Sequence, residues 1–186
     1  MSKDEGSIRL LYEPLAVSHA IDLSDALTDP RLYSYITGPR PVTTADLAAL
    51  FTRRAAGPLE GSEDEVWWNF AVRQRGGAYI GRIEATSHDG LVEVAYLFGR
   101  LFWGRGYATE ALRWLHNRIR GTGFAGHFWA AVTPKNTPSI RLLERAGYIE
   151  ISAGWPKLHS YDFGDRVYRT ETLDSNVDES ADQIIE

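Results

Sequence analysis

The spacing of apolar residues switches between two periods along this chain. Ile8-Arg-Leu-Leu-Tyr12 reads as a short strand that Pro14 ends. Val17 to Leu27 carries Ala20, Ile21, Leu23 and Leu27 at helical spacing, and Asp29-Pro30 stops it. Arg31 to Arg40 holds Tyr33, Tyr35, Ile36, Gly38 and Pro39, too aromatic for a plain linker. Thr43-Thr44-Ala-Asp46 caps a helix through Ala55, with Leu47, Leu50 and Phe51 on one side. After a solvated acidic loop, 57–65, three strands follow at 66–73, 78–86 and 91–98. Gly76-Gly77 and His88-Asp89-Gly90 are the hairpin turns between them.

The second half alternates strands and helices. Residues 106–120 form a helix burying Ala108, Ala111, Leu112, Leu115 and Ile119. His127–Val132 is a strand ended by Pro134. A helix from Asn136 stops at Gly147. Tyr148–Trp155 and Val167–Leu173 are two closing strands around Gly164-Asp165. This order predicts an α+β layered sheet with helices on both faces. It also predicts one domain over 1–173 and a disordered acidic tail over 174–186.

One junction carries candidate chemistry. The strand Glu93-Val94-Ala95-Tyr96-Leu97-Phe98 leads to Trp103-Gly104-Arg105-Gly106-Tyr107-Ala108, which runs into Thr109-Glu110-Ala111-Leu112. Glycines at the mouth of a helix suit an anion. The first turn presents unpaired N–H groups and about half a positive charge, and glycine lets the ligand come close. A phosphate-bearing ligand is expected at 104–109. A P-loop is excluded, because no Lys-Ser/Thr pair follows the glycines. A dinucleotide fingerprint fits poorly. Its third small position is Thr109, and no Asp or Glu lies between Glu110 and Glu144 to hold a ribose.

Residues 93–148 resemble the GNAT superfamily of N-acetyltransferases. Their pyrophosphate loop reads Arg/Gln-x-x-Gly-x-Gly/Ala. Here Gly106 and Ala108 fill the small positions, and Trp103 departs from Arg/Gln. Trp103-Gly-Arg-Gly-Tyr-Ala-Thr-Glu-Ala111 is similar to the branch of ribosomal-protein N-terminal acetyltransferases. A second block, Asn136-Thr-Pro-Ser139 through Gly147-Tyr148, resembles that branch's Asn-x-x-Ser helix. The resemblance implies a single GNAT-like domain and a mixed sheet of about seven strands. Strands 91–98 and 127–132 would splay around acetyl-CoA.

Composition narrows the setting. The chain has 186 residues, 44% apolar and 24% charged, enough for one ordinary core. No apolar run reaches membrane-spanning length, and no signal peptide follows Met1, so a cytoplasmic location is expected. There is no cysteine, hence no disulfide, thiolate zinc site or cysteine nucleophile. The net charge is −5, and the tail holds Asp174, Asp178, Glu179, Asp182 and Glu186 without a Lys or Arg. The body is therefore formally neutral, and nucleic acid is not an expected partner. His19, His88, His116, His127 and His159 show no i,i+4 pair and no grouping with carboxylates, so no metal is expected.

Residue roles follow. Gly104, Arg105, Gly106, Tyr107, Ala108 and Thr109 would supply backbone N–H groups to the pyrophosphate, with Phe98 a further cofactor contact. Arg105 is either a phosphate contact or a solvated arginine. Trp103 is read as packing beside the loop. Asn136 is a natural N-cap, and the resemblance makes it a cofactor contact too. Many GNAT enzymes place a tyrosine seven residues after this Asn, but Leu143 stands here. Ser139 is then the expected donor to the leaving thiolate, or else a solvated helix serine. Glu93, on the face of Ala95 and Leu97, is the candidate base because burial would raise its pKa. A salt-bridged structural carboxylate is the alternative, and Glu84 is a weaker candidate. Tyr33, Tyr35, Ile36, Trp67 and Trp68 either line an acceptor pocket or pack in the core.

The expected activity is direct acetyl transfer from acetyl-CoA to a primary amine, on a protein N-terminus or a small molecule. Two rivals stand beside it. One is a non-catalytic domain that binds acyl-CoA or a partner. The other is a dinucleotide oxidoreductase, which tight NAD binding would revive. The acceptor and the oligomeric state, a homodimer included, are left open.

Overall fold

A computed structural model describes residues 6–170 except Pro39, Gly61 and Glu63. The acidic tail 174–186 lies outside the described residues. Seven strands form one mixed sheet, in the order β1-β2-β3-β4-β5-β7-β6. They are β1 Leu10–Pro14, β2 Val66–Gln74, β3 Tyr79–His88, β4 Leu91–Phe98, β5 Phe128–Val132, β6 Tyr148–Ile151 and β7 Arg166–Thr170. The helices are α1 His19–Asp22, α2 Ser24–Leu27, α3 Thr44–Ala55, α4 Tyr107–Arg120 and α5 Thr137–Arg145.

Local sequence explains most boundaries. Thr43 caps α3 through a full capping box with Asp46. The β3–β4 hairpin turns on Asp89 and Gly90, both at positive φ, as a tight two-residue turn requires. Gly147 ends α5 at φ 86°.

Three expectations shift. The first strand starts at Leu10, because Ser7 N–H donates to Leu10 O and turns the chain, leaving Ile8 exposed. The single helix expected over 17–27 divides into α1 and α2 at Leu23. The strand after Tyr148 stops at Ile151, short of a left-handed Gly154 and of Pro156.

Helices cover both faces. One core joins Val92, Val94 and Phe98 of β4 to Ala111, Leu112, Leu115 and Ile119 of α4 and Ile140 and Leu143 of α5. A second joins Ala71 and Leu97 to Leu23, between α1 and α2, Leu27 of α2, and Leu47 and Phe51 of α3. The sheet's feature that matters for function is a split. β4 and β5 are parallel and pair only at Val92↔Phe128 and Glu93↔Trp129. Beyond Glu93 they diverge, and among the described residues Val94–Phe98 has no ladder partner on that side.

Candidate active site

The split opens a cavity of about 700 Å³. Val94–Phe98 and Ala130–Thr133 form its two banks, and the start of α4 closes one end. Gly104, Gly106, Tyr107, Ala108 and Thr109 all line it. Gly106 is the N-cap of α4 at φ 77°, with no side-chain cap bond. The open N–H groups of the first turn therefore lie at the cavity wall, as a diphosphate needs. Arg105 does not line the cavity. Its carbonyl instead accepts from Arg9 Nη1 at 3.0 Å.

The turn is braced from outside. Arg9 lies over the Tyr107 ring, and its N–H and Nε both donate to the Glu110 carboxylate. Burial alone would raise the Glu110 pKa, but the bonds from Ser7 and Arg9 outweigh it and hold it low. Trp103, expected to pack beside the loop, is 48% exposed and lines the cavity, with its indole N–H donating to Phe98 O at 2.7 Å. Phe98 lines the cavity with its carbonyl already engaged.

Across the cavity, Asn136 caps α5, its Oδ1 accepting from Ser139 N–H at 3.3 Å. Asn136 and Ser139 both line the cavity, so capping and ligand contact are compatible. Ser139 Oγ is 2.6 Å from Tyr96 Oη. Burial pushes the Tyr96 pKa up to about 12, so its phenol is neutral at pH 7. Leu143, at the family's tyrosine position, is fully buried in the core. Sequence reasoning missed Tyr96. The available signal was its alternation with Val94 and Phe98 on a strand that borders the loop.

The fold corrects the reading of Glu93. It does not line the cavity, and its side chain is 5% exposed. His88 Nε2 lies 2.5 Å from Oε1, and His159 N–H donates to the same oxygen at 2.6 Å. The backbone N–H and hydroxyl of Ser160 donate to Oε2. Burial would raise the pKa, but these donors outweigh it and lower it, opposite to the shift expected of a base. Glu93 thus ties the loop before β7 to the sheet. The grouping of His88, Glu93 and His159 was not legible from spacing. The hairpin sets His88 and Glu93 side by side, and a distant loop adds His159, whose ring stacks on His88 at 3.8 Å. The carboxylate oxygens of this group are already filled by donors.

The carboxylates that line the cavity are Glu84, Asp162 and Asp165. Burial, with the nearby Asp162 charge, raises the pKa of Asp165. Of the expected pocket residues, Tyr35 and Ile36 line the cavity, together with Leu32 and Thr37. Tyr33 instead donates to Leu27 O, and Trp67 and Trp68 lie outside the lining. No helix among the described residues is long and apolar enough to cross a membrane.

Residues 9–149 match the family model described as an acetyltransferase (GNAT) domain. The uncharacterized protein YkkB of Bacillus subtilis (strain 168) is 30% identical over 93 residues, 47% of this chain. The uncharacterized N-acetyltransferase p20 of Bacillus licheniformis is 37% identical over 64 residues, 32% of this chain. The matched stretches span 54% and 34% of those relatives' own lengths. Among solved structures, the microcin C7 self-immunity acetyltransferase MccE, in complex with acetyl-CoA and AMP, is similar at a TM-score of 0.72. That alignment covers 92% of this chain and 98% of that one at 15% identity, a likeness of fold.

Proposed function

Because the chain belongs to the GNAT acetyltransferase family, we propose that it moves an acetyl group from acetyl-CoA directly to a primary amine. The observation that carries this reading is the convergence of three features on one cavity. They are the unpaired edge of β4, the uncapped first turn of α4 and the Tyr96–Ser139 hydroxyl pair. Acetyl-CoA supplies an acetyl thioester, which a neutral amine attacks as the sulfur leaves.

The residues divide the work. First-turn N–H groups of Tyr107, Ala108 and Thr109 would hold the pyrophosphate, with Asn136 at the opposite bank. Backbone N–H groups on the open edge of β4 would orient the thioester and polarise its carbonyl. An N–C bond replaces the C–S bond, so one proton must leave the amine and one must reach the sulfur. Ser139 Oγ would donate the second, and Tyr96 Oη would replace it at Ser139. Asp165, with its raised pKa, would accept the first at a carboxylate oxygen. An α-amine, with a pKa near 8, would need little help, whereas a lysine amine near 10.4 would need more.

The test is calorimetric binding of acetyl-CoA, followed by a thiol-release assay over an amine panel. Amine-dependent thiol release supports the transferase. Binding without release for any amine favours a domain that holds acyl-CoA without transferring from it. Ser139→Ala is expected to lower kcat about a hundredfold, the low end of what a positioned acid contributes. Its acetyl-CoA affinity should stay within about threefold, since no charge-assisted contact is lost. Tyr96→Phe should cost about tenfold. The double variant should cost no more than Ser139→Ala alone, because the two hydroxyls act in series. Full activity in Ser139→Ala would remove it from the reaction.

A further inference from the structure

The cavity continues around β4 to the opposite face of the sheet. Arg82 and Glu84 of β3 lie across from Leu97 and Ala95 of β4 and share that face. Arg54 of α3 reaches them, and all three residues line the cavity beside Leu32, Tyr35 and Ile36. Arg54 Nη1 donates to Glu84 Oε2 at 2.7 Å, and Arg82 Nη1 pairs with Glu84 Oε1. The side chains of Arg82 and Glu84 are only 10% and 6% exposed.

Two guanidiniums here share one carboxylate. Among the described residues, Glu84 is the ion-pair partner of both. The Nε atoms of Arg54 and Arg82 are buried without hydrogen-bond partners, and Glu84 Oε1 meets Arg82 as an ion pair without a well-formed hydrogen bond. One carboxylate has about four acceptor positions, and two guanidiniums carry ten N–H donors. A surplus positive charge therefore stands at the wall of a half-open cavity, beside the buried Arg82 and Glu84 side chains, where water screens it less than at an open surface. Burial lowers the Arg54 pKa against the opposing pull of Glu84, as expected of a cation short of counter-charge. The other acidic lining residues, Asp162 and Asp165, belong to the loop before β7, and Thr37 Oγ1 donates to Asp162 at 2.5 Å. The acceptor side is thus bipolar.

We propose that the acetyl acceptor carries, besides its amine, an anionic carboxylate or phosphate that Arg54 and Arg82 bind. This rests on the acetyl-transfer reading above. The amine end then faces the Asp162 and Asp165 wall, and the anion supplies the counter-charge that Glu84 alone does not. Polycationic amines are disfavoured by the same surplus. Arginine suits the task, because its planar fork matches carboxylate and phosphate oxygens two at a time.

The experiment uses the wild-type protein and thiol release from acetyl-CoA with matched probes. Free α-amino acids are compared with their carboxamides, O-phosphoethanolamine with ethanolamine, and spermidine is added. At least one anionic probe should exceed its neutral partner by about tenfold in kcat/KM, through KM, the effect of one charge-assisted contact. Which pair responds separates carboxylate from phosphate. Arg54→Gln, on the more exposed arginine, should remove that preference by raising the anionic probe's KM, with the calorimetric affinity for acetyl-CoA as the control that the fold is kept. Equal turnover within every pair, preference for spermidine, or no turnover of any anionic amine would overturn the inference and make the triad structural. Absence of acetyl-CoA binding to the wild type would overturn the transferase reading, and the inference with it.

Discussion

Gly106→Glu is expected to abolish acetyl-CoA binding, raising Kd at least about a hundredfold while the protein stays folded. The carboxylate would stand at the mouth of α4, where the first-turn N–H groups meet the cavity. It would cap those groups itself and repel a diphosphate, and like charges so placed cost several kcal/mol. Part of the effect would be conformational. Gly106 sits at φ 77°, and a side chain there costs roughly 1–2 kcal/mol. There is room for the first carbon, since a Cβ would meet only Arg9 Nη2, at an ordinary 3.5 Å. Gly106→Ala therefore isolates the backbone strain. It should lower Tm by a few degrees and weaken binding less than tenfold, both consistent with the strain alone. Calorimetry beside thermal melts of the two variants separates charge from strain. Wild-type affinity in a folded Gly106→Glu protein would remove the α4 terminus from the cofactor site.

Glu93→Ala is expected to act on stability first. The carboxylate takes bonds from His88, His159 and Ser160, so its removal strands several buried donors together. Breaking a buried network of this kind costs about 3–5 kcal/mol, equivalent to a fall in Tm of roughly 10 °C for a chain of this size. The pH dependence has a definite sign. The Glu93 pKa is lowered in the folded state, so its contribution is complete above the unfolded carboxylate pKa of about 4.3. That contribution is lost as pH falls through the folded value. Wild type should therefore lose stability on the acid side below about pH 4–5, and Glu93→Gln should show a flatter acid limb. Activity should fall as well, because the loop that Glu93 ties down carries Ser160, Asp162 and Asp165 to the cavity. A catalytic base behaves differently: its loss would lower kcat at unchanged Tm. Thermal melts of Glu93→Ala from pH 3 to pH 7, beside the thiol-release rate, distinguish the two roles.

What the sequence determined by itself are features built from contacts a few residues apart. Thr43 and Asp46 specify the start of α3, and Asn136 with Ser139 specifies the start of α5. Asp89-Gly90 fixes the hairpin that aligns β3 with β4, and Gly106 fixes the entry to α4. Each depends on backbone dihedrals and a hydrogen bond of three residues' reach or less, so the residue types alone carry the information. The glycine turn proposed to hold phosphate and the family resemblance were legible for that reason. Tertiary structure decided the rest. Tyr96 meets Ser139 across 43 residues, Glu93 meets His159 across 66, and Arg54 meets Glu84 across 30. No spacing rule reaches so far, because these pairs form only when β4 and β5 part and the loop before β7 folds back over the sheet. The same long-range placement moved Glu93 from a base to a clamp. A carboxylate's chemistry depends on which donors surround it, and those donors came from elements distant in the chain.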